Sequence, residues 1–481
     1  MAETPSETAF SPRKPMFSDG YKGVVLSLLL LTYTFNFIDR TIVATIGQAI
    51  KVDLKLTDTQ LGLLGGLSFA VLYTLLGLPI ARLAERKNRV SIIAISMVVW
   101  SAFTVACGFA GSFVQLLAMR VGVGVGEAGC SPPSHSLVSD YYEPKRRATA
   151  LSVYAFGIPL GGMIGAVAGG WLAKNFGWRV AFMAVGAPGV IMALIVKLVV
   201  KEPPRGHSDP VDLVHVPVAP FSISAEFREL GAVTKSLFGS WPIFNMVMGI
   251  TLVSFAGYGI GQFSGPYFIR TFDLDYATVG LIFGLVGGIS AGIGTLVGGV
   301  VSDRASRWGT QWYALTPAIG VAIAAPLYLL AYTRPDWRLA AAILLLPGIF
   351  AYTYLGPTFA VVQNVVETRR RATATAVLFL FLNIIALGGG PLFTGWVIDH
   401  LAQGLFHAGA FATQCPGGAA PHGSTATLAA QCKTALLGGT RQGIVVTIGF
   451  YVWGAVHYFL ASFGLAKRMA SVAAARSLQL A

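Results

Sequence analysis

Stretches of about twenty apolar residues, separated by short charged loops, recur along the whole of this sequence. A helix of that length crosses the roughly 30 Å hydrocarbon core of a bilayer and satisfies its own backbone hydrogen bonds there. About twelve such stretches can be counted, at residues 22–50, 60–83, 90–111, 114–139, 147–173 and 179–200, then 241–269, 276–302, 311–333, 338–363, 371–399 and 440–466. Only 11% of the 481 residues are charged, against about 25% in soluble domains. The sequence therefore predicts an all-α, multi-pass integral membrane protein.

The net charge of +13 could in a soluble protein mark a nucleic-acid partner. Here topology accounts for it. Lys and Arg collect in alternate loops, as at Arg82, Arg86, Lys87 and Arg89, at Lys145, Arg146 and Arg147, and at Arg369, Arg370 and Arg371. Such loops face the cytoplasm, so both termini are expected inside. No Asn-x-Ser/Thr sequon occurs, which favours a bacterial chain and hence the inner membrane. The polar residues 1–21 read as a disordered tail, 22–200 as a first six-helix bundle, 241–467 as a second, and 468–481 as a cytoplasmic tail. Residues 201–240, rich in proline, form a linker. Its second part spaces Ile223, Phe227, Leu230 and Leu237 as one helical face, which predicts an amphipathic helix at the cytoplasmic surface. An insertion at about 400–438 lies outside and holds Cys415 and Cys432, a candidate disulfide in an oxidising compartment.

The two halves repeat each other. Lys145-Arg-Arg-Ala-Thr-Ala150 returns as Arg369-Arg-Arg-Ala-Thr-Ala374, and the loop ending in Glu85-Arg86 returns as Asp303-Arg304. Two loops duplicated in one order imply a six-plus-six architecture with a site at the midplane between halves. On these residues the chain resembles the major facilitator superfamily over nearly its whole length. Gly299-x-x-x-Asp303-Arg304 resembles that family's loop motif; the first copy departs from it at Ala81, Glu85 and Asn88. Arg120-x-x-x-Gly124-x-Gly126-x-Ala128 resembles the motif linked to proton coupling. Asn36-Phe-Ile-Asp39-Arg40, Gly124-Val-Gly126-Glu127-Ala128 and Gly157-Ile-Pro159-Leu-Gly161 together resemble the spinster subfamily.

A charge within a span costs several kcal/mol unless it faces a partner or water, so Asp39, Arg40, Arg120 and Glu127 are the candidate site. Asn36, Asp39, Arg40 and Val43 are spaced to share one side of the first span, and Arg120 and Glu127 one side of the fourth. Arg40 is the candidate anion receptor, since a guanidinium binds phosphate through two parallel hydrogen bonds. Asn36 and Arg120 are expected beside it. Asp39 is the candidate proton carrier, competing for Arg40 or Arg120 while ionised; Glu127 either carries a proton or locks Arg120. In the second half Tyr258, Gln262 and Tyr354 are candidate cavity residues. By the resemblance, Glu85, Arg86 and Arg146, and likewise Asp303, Arg304 and Arg370, latch the cytoplasmic gate.

The sequence contains no P-loop, and His400, His407 and His422 lack metal-ligand spacing. Enzyme, metal and nucleic-acid readings are therefore set aside. The resemblance implies a proton-coupled transporter of lysolipids, such as sphingosine-1-phosphate or lysophospholipids. The expectation is a monomer among membrane lipids, with protons as coupling ion and no cofactor. Gly165-Ala166-Val-Ala-Gly169-Gly170 partly resembles the antiporter signature of the fifth span and favours export by proton exchange. A multidrug or organic-anion carrier of the same superfamily is the alternative.

Overall fold

In the computed structural model, residues 16–208, 223–366 and 371–480 are described, and they are almost wholly helical. Eleven helices are long and apolar enough to cross a membrane. One of them, Thr149–Val199, has 51 residues, about 77 Å at 1.5 Å per residue and so twice a bilayer's needs. It breaks at Gly177, whose φ of 84° favours glycine, and the chain turns back there. Before the break, Gly157, Gly161, Gly165 and Gly169 meet residues 30 to 42 of the first span in parallel order. After it, Gly186 and Gly189 meet Ser101 in the third span, and Lys197 reaches Ser91, in antiparallel order. The described residues thus make twelve crossings. We number them as spans 1 (Asp19–Asp53), 2 (Asp58–Gly77), 3 (Arg89–Cys107), 4 (Phe113–Tyr141), 5 and 6 (Thr149–Val199), 7 (Trp241–Phe272), 8 (Tyr276–Trp308), 9 (Trp312–Tyr332), 10 (Trp337–Val362), 11 (Thr373–Leu405) and 12 (Ala426–Val472).

Each half has its own buried apolar core, one built from spans 1 to 6 and one from spans 7 to 12. The face bearing residues 201–208 and the helix Ile223–Phe238 is the linker face; the opposite one, bearing the insertion, is the insertion face. The start of the linker is held to the first half, where Arg89 pairs with Asp140 and with Glu202 at 2.6 Å, and Arg205 donates to the carbonyls of Ala84 and Lys87.

Two boundaries differ from those read in the sequence, and one helix packs where its pattern left the neighbour open. Span 1 begins at Asp19, capped by the Ser18 hydroxyl, so residues 19–21 belong to the helix; residues 1–15 lie outside the described residues. The last helix runs to Leu480, bending at Phe463 and Gly464, so residues 468–480 are helical. In Ile223–Phe238, Val233 and Leu237 are buried in the second half's core, and Phe238 packs on Phe381 at 4.8 Å. Val233, Leu237 and Phe238 thus rest on protein, since the first part of span 11 offers them an apolar seat. Cys415 and Cys432 are joined by a disulfide, around which Phe406, Phe411 and Leu436 form a small separate core.

Near mid-depth several spans lose regular helix. Span 2 breaks at Gly66, span 4 just after Glu127, span 10 tightens to a 3-10 turn at Tyr352–Tyr354, and span 11 widens to a π-helix at Leu382–Gly389. Irregular backbone at this depth is tolerated only against protein or a watery cavity, so the breaks outline the place where the halves meet.

Candidate functional site: a central charged pocket and a buried seam

The four charges predicted from sequence do converge, but their pairing differs from the one expected. Asp39 is 2% exposed and turns into the first half, whereas the Arg40 side chain keeps 20% exposure. Neighbours in a helix are about 100° apart, which is enough to send one carboxylate inward and the next guanidinium to the cavity edge. Arg40 Nε donates to Glu127 Oε2 at 2.7 Å. Glu127 therefore holds Arg40 and not Arg120. Arg120 instead lies beside Asp39, donating a long 3.4 Å bond to its backbone carbonyl. Three aromatic rings surround the Arg40 guanidinium: Phe37 at 4.9 Å, Phe69 at 4.6 Å and Tyr73 at 4.6 Å. Cation–π attraction strengthens when water is excluded, so this box fixes Arg40 without using its remaining N–H groups.

The cluster is short of partners. Both polar atoms of Asn36, Oδ1 of Asp39, Nη2 of Arg40, Nε of Arg120 and Oε1 of Glu127 are buried and meet no partner in good hydrogen-bond geometry, although Asn36 lies beside Glu127, and Thr104 and Trp100 beside Asp39. Buried polar groups are satisfied in the great majority of cases. Six neighbouring exceptions on five residues leave capacity for protons, water or a bound polar group.

Of the second-half candidates, Tyr258 alone opens toward this cluster. It is 44% exposed and within electrostatic reach of Arg40 and Tyr73 across the gap between halves. Tyr352, 38% exposed, lies on the same wall. Tyr354 is buried in the core of its own half, bonded to Ser254 at 2.9 Å, and does not face the cavity. Gln262 is buried in the contact between halves, where its side chain lies against Gly47 and Gly65; those glycines leave the room it fills.

Among the described residues, the latch candidates form no contact that joins the halves. Glu85 pairs with Arg82 one turn earlier at 3.1 Å, Arg146 approaches Asp19 at 3.9 Å, and Asp303 accepts from the Tyr313 hydroxyl at 2.8 Å. Arg86 and Arg304 are exposed, and Arg370 lies outside the described residues.

Toward the insertion face the halves are tied by a second cluster that sequence reading left aside. Arg270 of span 7 donates to both oxygens of Asp58 (2.5 and 3.2 Å), to Gln48 at 2.8 Å and to Thr440 at 2.8 Å. Lys51 adds a 2.5 Å bond to Asp58. Asp399 of span 11 accepts from the backbone N–H groups of Asp58 and Thr59, at the start of span 2, and from the Thr59 hydroxyl. Around it the backbones touch. A Cβ on Gly62 would meet Pro391 O at 2.2 Å, one on Gly395 would meet Asp58 O at 2.1 Å, and one on Gly280 would meet Ala166 O at 2.2 Å. Nearer the linker face, Gly77, Gly292 and Gly299 have open space at the same position. At the rim, Lys174 reaches Asp275 across the seam at 3.3 Å. The Asp275 carboxyl is held below its usual range first by the Thr278 backbone N–H. The signal for this seam was present in Asp58, Arg270 and Asp399, but each stands at the edge of a span, where a long or polar side chain can simply reach the interface.

With this geometry in hand, comparison with known proteins decides the family. The sequence pattern of the Major Facilitator Superfamily matches residues 29–391. The chain is a major facilitator protein. It is 31% identical over 386 residues to an MFS-type efflux pump of Mycolicibacterium smegmatis, covering 79% of this chain and 85% of the pump. It is 27% identical to protein spinster homolog 1 of Xenopus tropicalis, covering 80% of this chain and 74% of that one. A crystal structure of a bacterial homologue of the human lysosomal transporter spinster, inward-facing and unoccupied, superimposes with a TM-score of 0.83 at 35% identity, covering 94% of this chain and 99% of that one. The occupied form gives 0.81. This major facilitator protein is thus a spinster-like transporter and not an enzyme.

Proposed function

We propose that this transporter moves an amphiphilic anion of the lysolipid class, coupled to protons, by alternating access. The Arg40–Glu127 pair carries the reading. It sits at the cavity edge with an unused N–H on the guanidinium and an unused oxygen on the carboxylate. An anionic head can take the place of Glu127 on Arg40 once Glu127 is neutralised by a proton. Asp39 and Arg120 form the second, deeper pair through which a proton is held. The aromatic box keeps Arg40 aimed while its partner changes, and Tyr258 and Tyr352 offer hydroxyls and ring faces to the head and chain from the opposite wall. The lipid class is what the resemblance of Asn36–Arg40, Gly124–Ala128 and Gly157–Gly161 to the spinster subfamily implies. The basic loops on the linker face support a cytoplasmic orientation of that face in the inner membrane, with a single chain enclosing the whole site and protons as the sole coupling ion.

Direction follows from the sign of the coupling. A proton that frees Arg40 for the anion makes the two bind together, and by reciprocity they assist each other; that favours travel in one direction. Export by proton exchange, suggested by the span 5 glycine pattern, needs them to compete. A second reading, an organic-anion or multidrug carrier, is favoured by the efflux pump relative.

Flux of a labelled lysophospholipid into proteoliposomes, with a pH gradient imposed in either direction, separates these readings. The expectation is flux along the proton gradient, with gradient dependence lost in Glu127→Gln and Asp39→Asn while binding persists. Flux against the gradient would establish exchange. Flux of drugs but of no lysolipid would move the assignment to the efflux reading.

A further inference from the structure

At the insertion face a pocket of about 320 Å³ opens over the seam between the halves. Lys51, Lys55 and Thr59, from the stretch joining spans 1 and 2, line one side of it. Trp396, Asp399 and His400 of span 11 line the other, and the insertion closes it with Phe411 and Gly418. The lining therefore comes from both halves. Gly418 makes the fit possible: its φ is 91°, and a Cβ there would lie 2.7 Å from Leu436 and 3.5 Å from Lys51 Cε. Lys55, His400 and Ala412 are exposed, so the pocket opens to solution and lies apart from the cavity around Arg40.

The chemistry of the pocket is set by which groups are already engaged. Lys51 is paired with Asp58 at 2.5 Å. Both oxygens of Asp399 accept from the first half, through the Asp58 and Thr59 N–H groups and the Thr59 hydroxyl. Gln403 donates to Gly409 O and accepts from the Phe411 N–H. Lys55 has no ion pair among the described residues, which leaves its ammonium as the free charge of the lining. The backbone points the same way. Span 1 ends where Leu56 N donates to Lys51 O at 2.9 Å, and Lys55 between them has a φ of 55°. Glycine is usual at such a helix end, since an L side chain is strained in that conformation. A strained residue in a pocket wall is a mark of function rather than of folding.

The rest of the wall suits an aromatic body. Trp396 is 53% exposed, and its ring lies 5.6 Å from that of His400 and 17° from parallel. Phe411 and Leu56 add apolar surface. Pockets for drug-sized ligands run from about 300 Å³ upward, so this one takes a small molecule. One free cation beside aromatic rings calls for one negative charge on a flat apolar body. We propose that the pocket binds a small aromatic carboxylate from solution, its ring against Trp396 and His400 and its carboxylate on Lys55. The two walls belong to different halves and part when the seam opens. The ligand therefore binds the closed face alone and stabilises that state, acting as a brake on the transport cycle whatever the transported substrate.

The test is calorimetric titration of the full chain in detergent with naphthalene-2-carboxylate and with its uncharged amide. Wild type should bind one carboxylate and prefer it to the amide by roughly tenfold or more, the order of a charged hydrogen bond. The preference should survive in Arg40→Ala, which removes the cation of the central cavity. It should vanish in Lys55→Gln and in Lys55→Gly, although the glycine variant should melt no lower than wild type, because glycine suits the backbone there. Hydrogen exchange supplies the second readout. The Asp58 and Thr59 N–H groups are bonded across the seam to Asp399, so they exchange when it opens. Carboxylate at ten times its dissociation constant should slow them roughly tenfold. Absence of binding, or equal binding of carboxylate and amide, would overturn the proposal. So would binding lost in Arg40→Ala but kept in Lys55→Gln, or binding that leaves exchange at Asp58 and Thr59 unchanged.

Discussion

Two arginines within the spans, Arg270 buried and Arg40 half-buried, each face a carboxylate, and they are arranged for opposite ends. Arg270 joins the halves, and its cluster is satisfied: both oxygens of Asp58, both of Asp399 and the Lys51 ammonium all have partners. Arg40 belongs to one half, and around it five residues keep polar atoms with no partner in good hydrogen-bond geometry. A buried charge network that is complete rigidifies what it joins, while an incomplete one is costly as it stands. The complete cluster therefore suits a seam that must hold until it is broken as a whole. The incomplete one suits a place where a ligand or proton finishes the bonding. The contrast teaches that burial and charge alone do not mark a binding site; unfilled hydrogen-bonding capacity does.

The sharpest way to break the comparison is at Asp58. Asp58→Asn leaves Arg270 and Lys51 buried without their carboxylate. Removing one partner of a buried pair costs about 3–5 kcal/mol. The penalty falls only on the state in which the insertion face is closed, because opening lets water reach both cations. A shift of that size moves a two-state population by roughly two to four orders of magnitude. Spin labels on the insertion-face ends of spans 2 and 11 should report a new, longer distance as the major one. An unchanged distance distribution would mean that glycine packing alone holds the seam, and the charges add nothing.

The corresponding change in the incomplete cluster should act on binding and leave the seam alone. Arg40→Ala removes a charge-assisted bond of the kind worth about 1.5–3 kcal/mol, so lysolipid binding should weaken roughly tenfold to a hundredfold. The label distances across the seam should stay as in wild type. Arg40→Lys should recover only part of the affinity, because an ammonium lacks the planar face that Phe37, Phe69 and Tyr73 enclose. Equal binding by all three forms, measured by intrinsic fluorescence or scintillation proximity, would remove Arg40 from the receptor role.

What the sequence made legible follows from the same energetics. Long apolar runs and charges inside them are expensive patterns, so the spans, the repeat and the group of Asp39, Arg40, Arg120 and Glu127 could be read without coordinates. The pairing within that group could not, because periodicity gives a helix face about 100° wide and adjacent residues 39 and 40 straddle its edge. Tyr354 and Tyr258 look alike in sequence; only tertiary packing gives one a Ser254 partner and the other the cavity. The seam was missed because Asp58, Arg270 and Asp399 lie at span ends, where a charge usually signals a surface. The helix Ile223–Phe238 is legible as amphipathic, but such a pattern specifies an apolar neighbour and not its identity.

The smallest effect should come from the strap above the seam. The insertion belongs to the second half, yet its Gly417 rests on the last turn of span 1: a Cβ there would lie 3.1 Å from Lys51 O and 3.3 Å from Lys55 Cα. Gly417 also has a φ of 71°, so glycine meets both the conformation and the close approach. The disulfide closes a loop with a sequence separation of 17, and the chain-entropy account assigns about 3 kcal/mol to a loop of that size, acting mainly on the loop's own order. In Cys415→Ser/Cys432→Ser the strap should lose local order, seen as faster hydrogen exchange over residues 406–425. The seam should open only a few-fold more often, because Arg270 and Asp58 still close beneath it. Opening as large as that in Asp58→Asn would show that the strap, and not the ion cluster, is the principal fastening of this face.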